Sequence, residues 1–465
     1  MKVQIVGLLL LCNFNNAYAY TKTIAVEFLK RNVDIQSTKY QLESAKVLSD
    51  LEENKRDFVL SLSSEYSNST LKTSPSSYYS LNNKIYTNTL SLSKETILGS
   101  TLSLSGSLMT GEYAGVDQSG YSQTLSLKQD LGKNFFGRNS LLLRDSKNEL
   151  YESSKLEYSN TAGAKLLIFL TSYMQASLSK SVVSFQEMAL ERSQRRLKLI
   201  SKQVRDGVKE RADLFSAQTG ELYATESLRS AKSELDKNVE KIRKFLHRKV
   251  DESEIEKLSK IDINLKNPPK EFDYKNNHYV KSLQQKFMAV EKEFHYANNN
   301  VTADVSLMGS YTTNNFDKKS SKSFSDGTFG SDNREFKVGL EVSLPFGLST
   351  EKANKSLALI KMLDSQNQIK KAIEDVEAEL TSVISQYNLI SENLKSATQR
   401  VDLAKKALDE YNKLYNRGRA SLDQVINAEE RLIETQISMA RYEVERNVLS
   451  LSLFYLNSTI LTIVN

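Results

Sequence analysis

Two stretches of this chain leave little choice of architecture. From Arg138 to Val204 there is no proline and one glycine, Gly163, and a second proline-free stretch runs from Thr350 to Tyr415. Proline breaks a helix interior by removing an N–H and clashing with the preceding turn, so its absence suits long uninterrupted helices. At 1.5 Å per residue the first would reach about 100 Å. In the second, Ile369, Val376, Val383 and Ile390 recur every seven residues, and Ile373, Leu380, Tyr387 and Leu394 form a companion row. That spacing predicts a coiled-coil seam. The segments that follow carry the same signal: Leu214, Leu228, Leu235 and Ile242 share one frame, broken at Glu221, and Val425, Leu432 and Met439 share another. Long helices paired antiparallel through short turns follow. A solenoid of short helix pairs would need turn signals every 15 to 20 residues or so, and these stretches lack them.

Between the helical regions the period falls to two. Phe58-Val-Leu60-Ser-Leu62-Ser, Leu90-Ser-Leu92-Ser, Leu102-Ser-Leu104-Ser, Leu125-Ser-Leu127-Lys and Val338-Gly-Leu340-Glu-Val342-Ser-Leu344 alternate an aliphatic residue with a small, polar or charged one. A weaker run, Val305 to Tyr311, precedes the last of these. Such strands have one apolar and one hydrated face. In a soluble sandwich the apolar faces meet each other; in an outer-membrane barrel they meet lipid. The alternation alone does not choose between the two. Tyrosines near the strand ends (Tyr66, Tyr78, Tyr79, Tyr86, Tyr113, Tyr121, Tyr311) and the polar stretch Thr312 to Arg334 favour lipid.

The start of the chain points the same way. Lys2, the apolar run Val3 to Leu11 and Ala17-Tyr18-Ala19 read as an export signal spanning 1–19. The single cysteine, Cys12, lies inside it, which leaves no thiol for disulfides, thiolate zinc or cysteine catalysis. His247, His278 and His295 show no metal-binding spacing, and no nucleophile motif or phosphate loop is present, so an enzyme is not expected. The formal charge of +6 is spread over 63 basic and 57 acidic residues, a mixed helix surface rather than a nucleic-acid footprint. No later run of 18 consecutive apolar residues predicts a spanning helix, so membrane entry would be as a barrel. A few strands per half cannot close one alone, which predicts a cyclic oligomer.

The chain is internally duplicated. Gly207 and Ala217 are echoed by Gly418 and Ala428, both 211 residues on, within Val204-Arg-Asp-Gly207-Val-Lys-Glu-Arg-Ala-Asp213 and Tyr415-Asn-Arg-Gly418-Arg-Ala-Ser-Leu-Asp423. Each motif follows a long helix and precedes a heptad helix, and glycine suits the left-handed end of a helix, so each marks a tight reversal. Ser126 to Gly132 and Glu341 to Gly347, with Pro345-Phe346, similarly mark a switch from strand to helix. The expected organisation is a leader at 1–19 and a first repeat at 20–250, with strands at about 57–131 and helices at 138–204 and 208–247. A linker at 251–277, holding Pro268-Pro269, leads to a second repeat at 278–465, with strands at about 301–345 and helices at 350–415 and 420–456.

In these turns, strand corners and their duplication the sequence resembles the TolC-like outer-membrane efflux protein family. The resemblance implies an α+β membrane protein in which three chains pool their strands into one outer-membrane β-barrel. Their antiparallel coiled-coil helices then form a periplasmic tunnel. It implies a homotrimer in outer-membrane lipid that works with a periplasmic adaptor and an inner-membrane pump, as a passive exit duct for efflux or type I secretion, with no cofactor, metal or nucleic acid. It further implies a periplasmic gate at the helix turns. The family's aspartate and tyrosine fall on Asp213 and Tyr415; its arginine falls on Ala420, flanked by Arg417 and Arg419. The turns Asp206-Gly207-Val208-Lys209 and Arg417 to Ala420 would contact the adaptor. The family's acidic constriction falls on Gln424 and Asn427, so a cation-selective carboxylate ring does not carry over. The alternative is an exported coiled-coil adhesin or scaffold, which explains the heptads and the signal but not the paired strand blocks.

Overall fold

The computed structural model describes residues 22–54, 56–72, 80–113, 116–250, 254, 274–328, 330, 333–344 and 347–463. The leader, Tyr78 and Tyr79, Pro345-Phe346 and most of the 251–277 linker with Pro268-Pro269 lie outside them. In chain order the elements are α1 (22–31), α2 (Val33–Asn54), β1 (Phe58–Lys72), β2 (Ser80–Glu95), β3 (Ser100–Tyr113), β4 (Val116–Asp130), α3 (Arg138–Arg205), α4 (Arg211–Leu246), α5 (His278–Asn299), β5 (Asp304–Asp317), α6 (Ser320–Gly327), β6 (Arg334–Ser343), α7 (Ser349–Asn416) and α8 (Leu422–Leu456). They divide into two compact units, one of 42–154 and 282–369, the other of 1–41, 155–281 and 370–465.

The first unit is built on one antiparallel sheet in the order β1-β2-β3-β4-β5-β6. Its register sorts the alternating residues into two faces. Leu60, Leu92, Leu104, Leu125, Tyr311 and Phe336 are successive cross-strand partners, a single apolar row over all six strands. One residue along, Ser61, Ser91, Ser105, Thr124 and Thr312 form a hydroxyl row on the opposite face. On that face hydroxyls bond across strands, as at Ser61–Ser91 (2.6 Å), Thr89–Ser107 (2.9 Å), Ser103–Ser126 (2.5 Å) and Thr124–Thr312 (2.9 Å). The apolar row is not covered: its members run from 39% exposed at Leu92 and Leu104 to 68% at Leu60 and 73% at Phe336. A one-residue slip would exchange the faces, so the Leu-Ser alternation fixes the register. Phe58, with Lys94 Nζ 4.4 Å over its ring, stands at one end of the apolar face, and the paired rings of Tyr66 and Tyr86 stand eight residues further on. At about 3.3 Å per residue the apolar band between them is roughly 26 Å long.

A tight reversal joins β2 to β3. Between β2 and β3, Gly99 takes φ +70° and the Ser100 carbonyl accepts from the Thr96 amide at 2.8 Å. The passage from β4 into α3 is closed by Asn134, whose Oδ1 accepts from the amides of Asn139 and Ser140 at 3.0 and 3.1 Å. Gly137 (φ +79°) admits the carbonyl of Ile97 where any Cβ would stand 1.8 Å away, so only glycine fits there. α6 docks on the sheet through Ser323, which donates to the Ser119 carbonyl at 2.7 Å, and through Phe324 against Tyr121.

The second unit has a conventional core. Phe28 stacks on Phe169 (4.4 Å between centroids), with Phe245 edge-on to both, and Leu166, Leu170, Met174, Ile242, Leu246 and Leu451 close around them. By length and composition one helical stretch among the described residues, Phe135–Arg205, is apolar enough to cross a membrane. Its residues Leu166, Phe169, Leu170, Tyr173 and Met174 are packed in this core. The heptad seam is realised on α7, where Val376, Val383 and Ile390 are buried and the companion row is half-buried. On α4, Leu235 and Ile242 are buried while Leu214 and Leu228 are half-buried; on α8, Val425 and Leu432 are buried.

Candidate functional site at the helix turns

The two long helices end in the same way. At the first turn Gly207 (φ +74°) follows α3, with Val208 N bonded to Gln203 O at 2.8 Å and Gly207 N to Val204 O at 3.1 Å. At the second, Gly418 (φ +71°) follows α7, with Arg419 N bonded to Leu414 O at 2.9 Å and Gly418 N to Tyr415 O at 3.0 Å. Both are Schellman closures, which satisfy the last carbonyls of a helix by a left-handed residue. The helices that leave the turns start differently. Ser421 caps α8 with a reciprocal box: its Oγ accepts from Gln424 N at 3.3 Å and Gln424 Oε1 accepts from Ser421 N at 2.9 Å. Glu210 stands in the same place before α4 and makes no side-chain cap.

The side chains of the two turns meet around Tyr415. Its ring belongs to a buried cluster with Ile200, Ala217, Leu408, Leu422 and Val425, and its hydroxyl is buried without a hydrogen-bond partner among the described residues. Lys209, from the first turn, places Nζ 4.6 Å from the Tyr415 ring centroid and 4.0 Å from Asp213 Oδ2. A cation between a ring face and a carboxylate is attracted by both. Of the residues expected to act together, Asp213 and Tyr415 are therefore brought to one place, with Lys209 between them. Arg417 and Arg419 are exposed and make no ion pair among the described residues. Asp206, Val208 and Gly418 are exposed too, and Ala420 is half-buried. Gln424 and Asn427 lie exposed on α8, Gln424 with its side chain turned back to the cap.

Sequence reasoning missed a second cluster. Arg196 on α3 pairs with Glu429 on α8, and Arg192 Nε lies 3.5 Å from the same carboxylate. Arg196 and Glu429 are each only 12% exposed. Burial lowers the Arg196 pKa, the neighbouring Arg192 lowers it further and Tyr415 opposes both; burial also lowers that of Arg192, against Glu191. The available signal was the i, i+4 spacing of the two arginines, which puts both on one helix face. Beside the pair, an open cavity of about 650 Å³ is lined by Arg196, Phe215, Tyr223, Ile426, Glu429 and Ile433.

Set beside known proteins, residues 274–454 match the sequence pattern of the family described as outer membrane efflux protein. Solved outer-membrane proteins share the chain's fold over nearly its whole length. The outer-membrane channel OprN superposes with a TM-score of 0.67 at 15% identity, covering 96% of this chain and 92% of that one. The outer membrane protein VceC from Vibrio cholerae gives 0.65 at 13%, covering 95% and 96%. The transmembrane channel CusC gives 0.64 at 16%, covering 94% and 91%. No sequence among curated proteins matches the chain. At these identities the structural likeness is one of fold: a mostly helical protein with an antiparallel sheet.

Proposed function

We propose that the chain is one protomer of a trimeric outer-membrane efflux channel. Three sheets form a barrel in the outer membrane, and the helices form its periplasmic extension. The protein conducts passively as the exit duct of a tripartite efflux or type I secretion system, with an adaptor and an inner-membrane pump as partners. It does no chemistry. The periplasmic end is gated where Lys209, Asp213 and Tyr415 meet, with Arg417 and Arg419 at the same turns, and the adaptor docks at the turns Asp206 to Lys209 and Arg417 to Ala420.

The observation that carries this reading is the sheet: an uncovered leucine row on one face and a hydroxyl row on the other. In water such a face would have to be covered, whereas in lipid it is already in its proper solvent. Each of the six strands has ten residues or more, enough for the tilted 9 to 11 residues or so that cross a bilayer. The helices support oligomerisation as well, since Phe215 and Leu222 on α4 stand seven residues apart and are 61% and 62% exposed, apolar side chains outside the chain's own core. The test is native mass spectrometry in detergent together with planar-bilayer recording. Trimers that form discrete conducting pores are the expected result. A monomer that leaves bilayer conductance unchanged would sink the reading.

A further inference from the structure

Passive conduction makes no use of α6, the short helix between β5 and β6. It lies on the leucine face, and three side chains fix it there. Tyr121 stands in the same alternation as Leu125 and Leu127, and its hydroxyl reaches over Gly106, where a Cβ would stand 2.7 Å from it. Phe324 packs on the Tyr121 ring at 4.7 Å between centroids. Thr313, in the alternation of Tyr311, donates to the Gly327 carbonyl at 2.9 Å. Phe324 is still 52% exposed. With Leu60, Leu62, Leu90, Leu104 and Tyr121 it lines an open hollow of about 460 Å³ on the same face.

Strand positions set the depth of this helix. Tyr66 and Tyr86 stand eight and nine residues from the ends of β1 and β2 nearest the long helices, and Tyr121 and Arg334 stand nine from the same ends of β4 and β6. At about 3.3 Å per residue all four lie roughly 26 to 30 Å along their strands. Phe324 therefore joins a level of rings at the far end of the apolar band. Aromatic residues collect at such a level in membranes, with one side in hydrocarbon and the other at the head groups. Arg334 shares the alternation of Phe336 and Val338, so it belongs to the leucine face, and it is exposed. Lys318, Lys319 and Lys322 follow directly on the end of β5 and are exposed as well. The acidic residues beside them are engaged. Asp317 Oδ1 accepts from the Lys319 amide at 3.0 Å, and Oδ2 lies 3.5 Å from Lys322 Nζ. Asp326 accepts from Ser325 Oγ at 3.0 Å. Lys318, Lys319 and Arg334 make no ion pair among the described residues.

We infer that this end of the leucine face binds a lipid with an anionic phosphate head group. An acyl chain lies in the hollow beside Phe324, and Lys318, Lys319, Lys322 and Arg334 hold the phosphate. The inference rests on the lipid-facing reading of the sheet given above. A helix with an aromatic residue on its apolar side and lysines on the other suits a membrane surface. Lysine and arginine stems lie along hydrocarbon while their charged heads reach the phosphate layer. Apolar contact alone would accept any lipid, whereas the unpaired cations select an anionic one.

Native mass spectrometry of the full-length protein, released from detergent with added lipid, tests this. The probes are diphosphorylated lipid A, the same lipid without its phosphates, and inorganic phosphate. The phosphorylated lipid should be retained at collision energies that strip the other, and inorganic phosphate should not displace it. Lys318→Gln, Lys319→Gln, Lys322→Gln and Arg334→Gln should each weaken retention about fivefold, the share of one cation near an anionic surface. Phe324→Ala should weaken both lipids alike, and Lys406→Gln, on the exposed surface of α7, should change neither. Equal retention of the two lipids, or glutamine variants that hold lipid A as the parent does, would overturn the inference. Displacement by inorganic phosphate would overturn it too, leaving an anion site without a lipid. Planar-bilayer recording of the same preparations separates the two readings. A parent that conducts but shows no preference between the lipids sinks the lipid site alone, and one that does not conduct sinks the channel and the lipid site together.

Discussion

The two helix turns have the same backbone and different side chains. Gly207 and Gly418, 211 residues apart, close their helices with matching hydrogen bonds, yet Lys209 stands where the second turn has Ala420, and Tyr415 stands where the first has Val204. Glu429, which is buried against Arg196, corresponds to Gln218 in the first repeat. The two turns thus share the reversal and differ in their chemistry. Each supplies what the other lacks, so the Lys209–Tyr415 contact exists only between the two turns.

This division of roles can be probed at paired positions. Arg196→Met removes one partner of a buried ion pair and is expected to cost about 3–5 kcal/mol, because Glu429 is left poorly compensated. Urea unfolding followed by helical circular dichroism measures it. Gln218→Ala at the matching site of the other repeat should move the same curve far less, and adding Glu429→Leu to Arg196→Met should recover most of the loss. Next in size are Gly207→Ala and Gly418→Ala. A Cβ at either position meets nothing within 4 Å, so each pays only the left-handed backbone penalty of about 1–2 kcal/mol. The two midpoints should shift equally, and unequal shifts would show that the turns differ in more than their side chains.

Ser421→Ala breaks a capping box and should cost about 1 kcal/mol. Glu210→Ala, at the corresponding uncapped position, should cost little, a contrast readable from amide hydrogen exchange in the first turns of α8 and α4. Smallest in stability, below about 1 kcal/mol, is Lys209→Gln, since the lysine is part-exposed and solvent screens its contacts. Its readout is conductance: in planar bilayers the variant should open spontaneously more often, while Arg417→Gln and Arg419→Gln leave the resting state as it was. Equal effects from all three would place the gating cation elsewhere.

Much of this was legible in the sequence, for identifiable reasons. Val376, Val383 and Ile390 are buried where the heptads put them, because a seven-residue period and a proline-free helix leave one stripe to cover. The leucine and serine rows follow from the two-residue period. The number of strands per chain was less legible, since the reversal at Gly99 sits inside a run whose alternation resumes almost at once, and a turn of four residues with Gly99 at positive φ is all that separates β2 from β3. At the turns, Asp213 and Tyr415 could be found from the motif. Lys209 could not, because nothing in a linear reading says that residue 209 meets residue 415. The Arg196–Glu429 pair was hidden for the same reason, its partners being 233 residues apart.

The cross-bonded hydroxyls of the sheet bear on how passengers would be treated. Ser61, Ser103 and Thr124 already spend a hydrogen bond on a neighbour, and nearby Lys128 and Glu341 neutralise one another at 3.4 Å. A wall of such self-contented dipoles is wettable but has no strong grip on any one molecule. Selection of cargo would then fall to the machinery upstream, and sequence change on this wall should alter throughput before it alters what is carried.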